Sequence, residues 1–327
     1  MKILIIGGVG FIGLHLAHKL LSSEENVVDI LDVKPYKNLD EEALKIISHS
    51  RCSYIETDIT DFKTVTTVSR DYDVIFHLAA MLGVQNVINN ASLVLKKNYA
   101  MTEVALAIAS NQQALQKFFY TSTSEVYAGT LQHYGLPFPT DEGTPLSLPD
   151  LDQPRTSYML SKIYGEALCH HSAVPFIIIR PHNVYGPRMG FSHVISQLLQ
   201  KAVYLNSQEP LEVYSVEHKR TFCYIDDAIG FLVGLLKIDI KNITLNLGVS
   251  QPEVTIGDLA QLILNITNKN VTIKALPATP GSPIRRAPAN DKICKLSSYS
   301  PRFSLEEGLK RTYEWYINHH FKSSSHK

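Results

Sequence analysis

The 327-residue sequence predicts an α/β fold, a doubly wound parallel sheet joined to a smaller C-terminal lobe. Three observations predict it. Short apolar runs alternate with stretches of helical spacing through the first half. The first of these runs breaks into closely spaced glycines just before a helix. After Arg180 the texture changes, with turn signals crowding together and elements shortening.

Lys2 to Ile6 is rich in isoleucine and long enough for one buried strand. It breaks at Gly7-Gly8, and Phe11 to Leu20 then has apolar residues at helical spacing. Gly8, Gly10 and Gly13 fit G-x-G-x-x-G, while Gly7, Gly10 and Gly13 fit the looser G-x-x-G-x-x-G. Glycine is needed because a side chain would block the tight turn and the backbone's approach to a pyrophosphate. The helix start, Gly10 through Phe11, Ile12 and Gly13, offers that pyrophosphate free N–H groups and a positive dipole end. A Rossmann-type dinucleotide site is therefore expected. Val27 to Leu31 reads as the next strand and ends at Asp32, close to the expected ~20 residues beyond the last glycine. A carboxylate there accepts hydrogen bonds from both ribose hydroxyls and repels a 2′-phosphate, which favours NAD over NADP, with Lys34 nearby to soften the preference.

Further strands are expected at Ser53–Glu56, Val74–Leu78, Lys117–Thr121 and Phe176–Ile179, with helices near 40–48, 61–69, 92–110 and 157–171. After the third strand, Asp58 could bond an adenine amino group while Ile59 packs on the ring; equally, Asp58 is a turn residue beside Asp61. His77-Leu78-Ala79-Ala80 closes the fourth strand with small residues that let the backbone run close to a cofactor, and His77 itself reads as a satisfied core histidine. Thr121-Ser122-Thr123-Ser124-Glu125-Val126-Tyr127 lies at the carboxyl end of the fifth strand, the edge where open α/β sheets bind ligands. Thr123, Ser124 and Glu125 make it more polar than a core strand end needs; a solvated Ser/Thr loop is the alternative. Tyr158 and Lys162 share one helix face. A nearby ammonium is expected to bring a phenol's pKa down from about 10, making Tyr158 a usable general base for a sugar hydroxyl.

Formal net charge is zero, with no basic stripe, so nucleic acid is a poor partner. The four cysteines are scattered without metal-ligand spacing, which points to a reduced, cytoplasmic protein without structural zinc and to no metal in the site. No apolar run approaches a membrane span or a signal peptide. Residues 1–180 read as the cofactor-binding domain and 181–327 as the substrate-binding lobe, with about 225–247 returning to the first domain. Turn signals there include Gly186-Pro187, Pro277 and Pro280-Gly281, and the tail HHFKSSSHK reads as polar and frayed.

Taken in order, GGVGFIG, HLAA, STSEVYA, YMLSK, RPHNVYGPRMG, RTFCYIDDA and GSPIRRAP resemble the extended short-chain dehydrogenase/reductase family over nearly the whole chain. That family contains the nucleotide-sugar epimerases, dehydratases and decarboxylases. The resemblance implies a catalytic triad of Thr123, Tyr158 and Lys162, with Thr123 bonding the sugar's 4-hydroxyl and Lys162 also holding the nicotinamide ribose. It implies that Asn183, Arg220 and Arg286 hold the substrate's pyrophosphate, a role suited to arginine's donor fork. It also implies a homodimer built from the helices around 92–110 and 157–171, whose apolar faces include Leu106, Ile108, Leu160 and Leu168. Ile6 stands where the family usually has Thr, and Ala128 where it usually has Gly.

The implied activity is that of an NAD-dependent nucleotide-sugar epimerase or dehydratase acting through a 4-keto sugar. Thr123-Ser124-Glu125 resembles the combination in GDP-mannose 4,6-dehydratases and in UDP-glucuronate decarboxylases, Ser-Glu-Val-Tyr is also similar to sequences of 4-epimerases, and Met81-Leu82-Gly83-Val84 is more similar to epimerases than to decarboxylases. A non-catalytic NAD-binding regulator is the competing class; such relatives would be expected to lose Tyr158 or Lys162.

Overall fold

A computed structural model describes residues 1–206, 208–279 and 281–321. Pro280 and the last six residues of the expected frayed tail lie outside the described residues.

Lys2–Ile6 (β1), Val27–Asp32 (β2), Cys52–Glu56 (β3), Val74–His77 (β4), Lys117–Thr121 (β5) and Phe176–Pro181 (β6) are the six expected strands, with ends displaced by a residue or two at four of them. Ile243–Leu247 adds a seventh at the edge, and the sheet runs Ile243–Leu247, β6, β5, β4, β1, β2, β3, all neighbours parallel. The chain reverses direction of travel between β1 and β4, which opens a crevice at the carboxyl ends of those strands. Alternate residues of each strand feed two cores. Ile3, Ile5, Phe76 and Phe119 face the helices Phe11–Leu21 (α1) and Ile225–Leu236, and the Phe76 and Phe119 rings stack 4.3 Å apart. Leu4, Ile6, Ile75, Phe118 and Tyr120 face Ala91–Ser110 and Pro154–His170.

Helices were foreseen with varying success. The stretch 61–69 shortens to one turn, Thr64–Thr67, where β-branched Thr and Val resist propagation. Pro154 occupies the first turn of Pro154–His170, where its missing N–H costs nothing. Leu106 and Ile108 are buried in this chain's own core, and Leu168 packs against it, which corrects their assignment to an outward dimer face. The polar-tail expectation also needs correcting at His319–Phe321: these residues continue a helical turn, with Phe321 buried and His319 stacked on Trp315.

Beyond β6, Val194–Tyr204, Ile256–Ile266 and Leu305–Tyr316 carry the lobe. Its small sheet places Lys219–Arg220 between Val254–Thr255, antiparallel, and Arg285–Arg286, parallel. Arg286 is thereby the register partner of Arg220, and both guanidiniums border the cleft. Among the described residues no helix is long and apolar enough to cross a membrane, and all four cysteines are free thiols.

Candidate active site

A cleft of about 1080 Å³ runs from the glycine turn to the lobe. At one end the three glycines do different work. Gly7 has φ +83° and its position leaves no room for a side chain, since a Cβ would lie 2.6 Å from the Ala79 nitrogen. A Cβ on Gly13 would lie 2.5 Å from the Gly7 oxygen and 2.7 Å from Gly8 Cα. A Cβ on Gly10 would meet only the Gly7 oxygen, at 3.2 Å, so protein packing alone does not demand glycine there. Gly10 caps α1 without any side-chain bond, and no acidic residue occupies the first turn through Phe11, Ile12 and Gly13. The result is an open, positively polarised cradle.

Asp32 stands at the end of β2, its two carboxylate oxygens taking the Val9 N–H at 3.2 Å and the Lys34 N–H at 3.1 Å. Asp58 accepts from the Thr60 N–H at 2.9 Å and lies 3.9 Å from Lys97. Burial would raise its pKa, but the Thr60 bonds and the Lys97 charge bring it below the usual carboxylate value. Ile59, Leu78, Ala79 and Ala80 line the same wall. Lys97 was not anticipated, nor was Asn98, whose amide holds both the N–H and the carbonyl of Met81 (2.7 and 3.1 Å) and donates to Ser161 at 3.2 Å. His77 is a core residue, but not a satisfied one: both ring nitrogens are buried and find no hydrogen-bond partner among the described residues.

At the other end, Thr123 caps the short turn Ser124–Tyr127 and accepts from the Glu125 N–H at 3.2 Å. It also lies near enough to the Tyr158 phenol to favour its ionised form. The Lys162 ammonium donates to the Thr121 carbonyl at 2.8 Å and lies 6.0 Å from the Tyr158 ring centre. The three residues implied as a triad thus converge. The expected lowering of the Tyr158 pKa by Lys162 does not hold in this cleft. Burial first, then the Glu125 charge, push the phenol up, and only Thr123 opposes them. Lys162 is itself brought down to about 8 by burial.

Glu125 lines the cleft with its side chain 20% exposed, and it is paired rather than freely solvated. Arg286 bonds its carboxylate at 2.6 Å, and Arg155 lies 3.2 Å from the second oxygen. Burial would raise its pKa, but the Arg286 and Arg155 charges bring it down to about 2. Arg155 was missed, though it sits three residues before Tyr158 on the same helix face, a spacing that could have disclosed it. Arg220 donates to the carbonyls of Lys219 (2.7 Å) and Ile284 (3.3 Å) and to the Ser282 hydroxyl (3.1 Å). Burial and the neighbouring Arg286 charge lower its pKa to about 9. Asn183, at φ +42°, donates to the Thr221 carbonyl at 2.9 Å on the cleft wall. A hydroxyl–phenol–ammonium group beside three guanidiniums can move a proton at a sugar hydroxyl while gripping a polyanion.

A strand-to-helix glycine cradle, a carboxylate at the end of β2 and a Tyr/Lys pair across the same crevice are the features of a dinucleotide-binding fold. Residues 3–248 match the model of the NAD dependent epimerase/dehydratase family, and the chain belongs to that family. The cofactor is therefore NAD, and the open face of Gly10 and the rim carboxylate of Asp32 fit it. Among similar proteins, UDP-glucuronic acid decarboxylase 1 of Danio rerio is 31% identical, over 96% of this chain and 72% of the relative. UDP-N-acetyl-alpha-D-glucosaminuronate decarboxylase of Bacillus cytotoxicus is 28% identical, over 96% and 97%. Among solved structures, UDP-glucuronic acid 4-epimerase of Bacillus cereus, in complex with UDP-glucuronic acid and NAD, is 27% identical at a TM-score of 0.75, covering 97% of this chain and 99% of that one.

Proposed function

We propose that this protein takes a nucleotide-linked uronic acid through a 4-keto intermediate and releases its carboxyl carbon as carbon dioxide. The observation that carries the reading is the Glu125–Arg286–Arg155 cluster beside the triad. With Arg220, three guanidiniums face one carboxylate, and the excess positive charge suits a diphosphate plus a sugar carboxylate. The two decarboxylase relatives and the epimerase structure support an acidic sugar, since each is named for a UDP-linked uronic acid.

NAD, when bound, supplies a hydride acceptor at the sugar's C4 and later returns the hydride, so no net oxidation results. Gly7, Gly10, Phe11, Ile12 and Gly13 would hold its pyrophosphate, Asp32 one ribose, Asp58 and Ile59 the adenine, and Leu78, Ala79, Ala80 and Lys162 the remainder. Tyr158, once ionised (the form Thr123 favours and burial opposes), would remove the C4 hydroxyl proton, with Thr123 orienting that hydroxyl. A 4-keto group lies β to the C6 carboxylate. The electron pair of the breaking C5–C6 bond therefore flows onto the keto oxygen, toward which Thr123 and the Tyr158 phenol can donate. Arg155 and Arg286 would orient the departing carboxylate, Ser124 would pass a solvent-derived proton to C5 while the ionised Glu125 orients it, and Asn183 and Arg220 would hold the diphosphate.

Dehydration would instead require Glu125 to pull a proton from carbon, and a carboxylate held at about 2 by two guanidiniums is a weak base. Epimerisation at C4 of the same uronic acid is the second reading, favoured by the Bacillus cereus structure. A non-catalytic regulator is disfavoured because Thr123, Tyr158 and Lys162 are all present and convergent. A homodimer would use exposed apolar residues such as Leu93 and Tyr99 of Ala91–Ser110, and the free thiols suit a reducing cytoplasm.

The test is incubation with NAD and UDP-glucuronate labelled at the carboxyl carbon. The wild type should release labelled carbon dioxide and Tyr158→Phe should not; an unreleased label in a new isomer would favour epimerisation.

A further inference from the structure

The helix Pro154–His170 carries Tyr158, Lys162 and Glu166 at successive i, i+4 positions, on one face. Tyr158 and Lys162 line the cleft, and Glu166 lies one turn deeper, 5% exposed. Its carboxylate takes Arg180 through both oxygens, at 2.9 and 2.6 Å, and the Ser122 hydroxyl at 2.5 Å. Ser122 is the residue between Thr121, whose carbonyl holds the Lys162 ammonium, and Thr123, which lines the cleft with Tyr158. Arg180 in turn donates to the Tyr127 hydroxyl at 2.7 Å, and that hydroxyl to Asn246 at 3.0 Å.

We propose that Glu166 is a positioning residue of the catalytic centre, fixing the Ser122–Thr123 segment against the catalytic helix and holding Lys162 in its charged form. The inference rests on the reaction proposed above for its kinetic consequences, but not for the Lys162 readout.

A staple alone would not need a carboxylate at this depth, because well-packed apolar residues often replace a buried ion pair without loss. The charge has a use in the surroundings of Lys162, which is 2% exposed and bonds only a carbonyl. From its own helix Tyr158, Glu166 and Cys169 face it, from β5 Tyr120 (ring centre 5.3 Å away), and from β4 His77. Burial keeps His77 neutral, lowered to about 3, and the Cys169 thiol neutral, raised to about 12. Tyr120 and Tyr158 are likewise held as phenols by burial. Glu166, the one carboxylate of this set and ion-paired with Arg180 at 2.6 Å, favours the ammonium against the burial that draws Lys162 down to about 8. Arg180 takes up part of that charge, which limits the effect without cancelling it.

The test is the titration of Lys162, read from its 13Cε chemical shift in lysine-labelled, NAD-free protein and assigned with Lys162→Arg. Glu166→Gln keeps the shape and an oxygen acceptor for Ser122. It should titrate Lys162 about one pH unit lower than wild type, and the alkaline limb of the pH–rate profile should move the same way. Ser122→Ala should lower kcat at unchanged KM while leaving the Lys162 titration in place. An unmoved Lys162 titration in a folded Glu166→Gln protein overturns the charge role; wild-type kcat in Ser122→Ala overturns the placement role. If the wild type turns over no uronic acid, the proposed reaction fails while the titration still decides the charge role of Glu166. Should Glu166→Gln not fold, Arg180→Met is read instead. Freed of its partner, Glu166 should raise the Lys162 titration, and no change would overturn the charge role.

Discussion

Glu125 and Arg286 meet at 2.6 Å although 161 residues separate them in the chain. The pair closes the end of the cleft away from the glycine turn, joining the carboxyl end of β5 to a two-residue strand of the lobe. Arg155 reaches the same carboxylate from the catalytic helix, so both arginines are held in the cleft by an internal anion. A substrate carboxylate offers them the same chemistry.

Arg155 should accordingly set selectivity for acidic sugars. Arg155→Ala is expected to lower kcat/KM for UDP-glucuronate about a hundredfold, the loss of one charge-assisted contact. Calorimetric binding of UDP-glucose, which carries no carboxylate, should change by less than about threefold. Equal losses for both ligands would remove Arg155 from carboxylate recognition.

The same cluster makes stability depend on acid. Glu125 is depressed from its ordinary carboxylate value to about 2, so its contribution is present above its unfolded pKa, about 4.3, and is lost as pH falls toward 2. Urea denaturation of Glu125→Gln should lose less stability between about pH 5 and pH 3 than wild type. Asp40, held down to about 2 chiefly by hydrogen bonds from Arg188, will leave part of the slope in both proteins.

The glycine turn separates folding from cofactor binding. Gly13→Ala pushes a Cβ into backbone and should cost about 1–3 kcal/mol in thermal or urea unfolding. Gly10→Ala meets only the Gly7 oxygen, at 3.2 Å, and should cost less than Gly13→Ala, on the order of 1 kcal/mol, about the Gly–Ala difference at a helix N-cap. Its NAD affinity, by fluorescence titration, should nevertheless fall at least about tenfold. Unchanged NAD affinity in Gly10→Ala would mean that the pyrophosphate does not lie over that position.

Most of the sheet was legible because buried parallel strands read as continuous apolar runs, as in Lys2–Ile6. Ile243–Leu247 escaped as a strand because its Asn246 looks polar; in the fold that side chain is fully buried, bonded to Thr140 and to the Tyr127 hydroxyl. On the Ala91–Ser110 helix an apolar face was visible, but not whether it met its own core or a second copy, and Leu106 and Ile108 meet the core. The convergence of Thr123, Tyr158 and Lys162 followed from the resemblance and strand-end chemistry. The direction of the Tyr158 shift did not, because it depends on burial and on Glu125, neither of which spacing reveals. Arg155 lay within reach of helical spacing, whereas its meeting with Glu125 and Arg286 depends on how the lobe folds back over the sheet.

The most direct measurement is mass spectrometry of UDP-glucuronate incubated with the protein and NAD in heavy water. A product that has lost carbon dioxide and gained one deuterium on carbon is the predicted result, placing the bond cleavage at C5–C6 and the re-protonation at C5. A product of unchanged mass, isomeric at C4, or one that has lost water instead, would contradict the account.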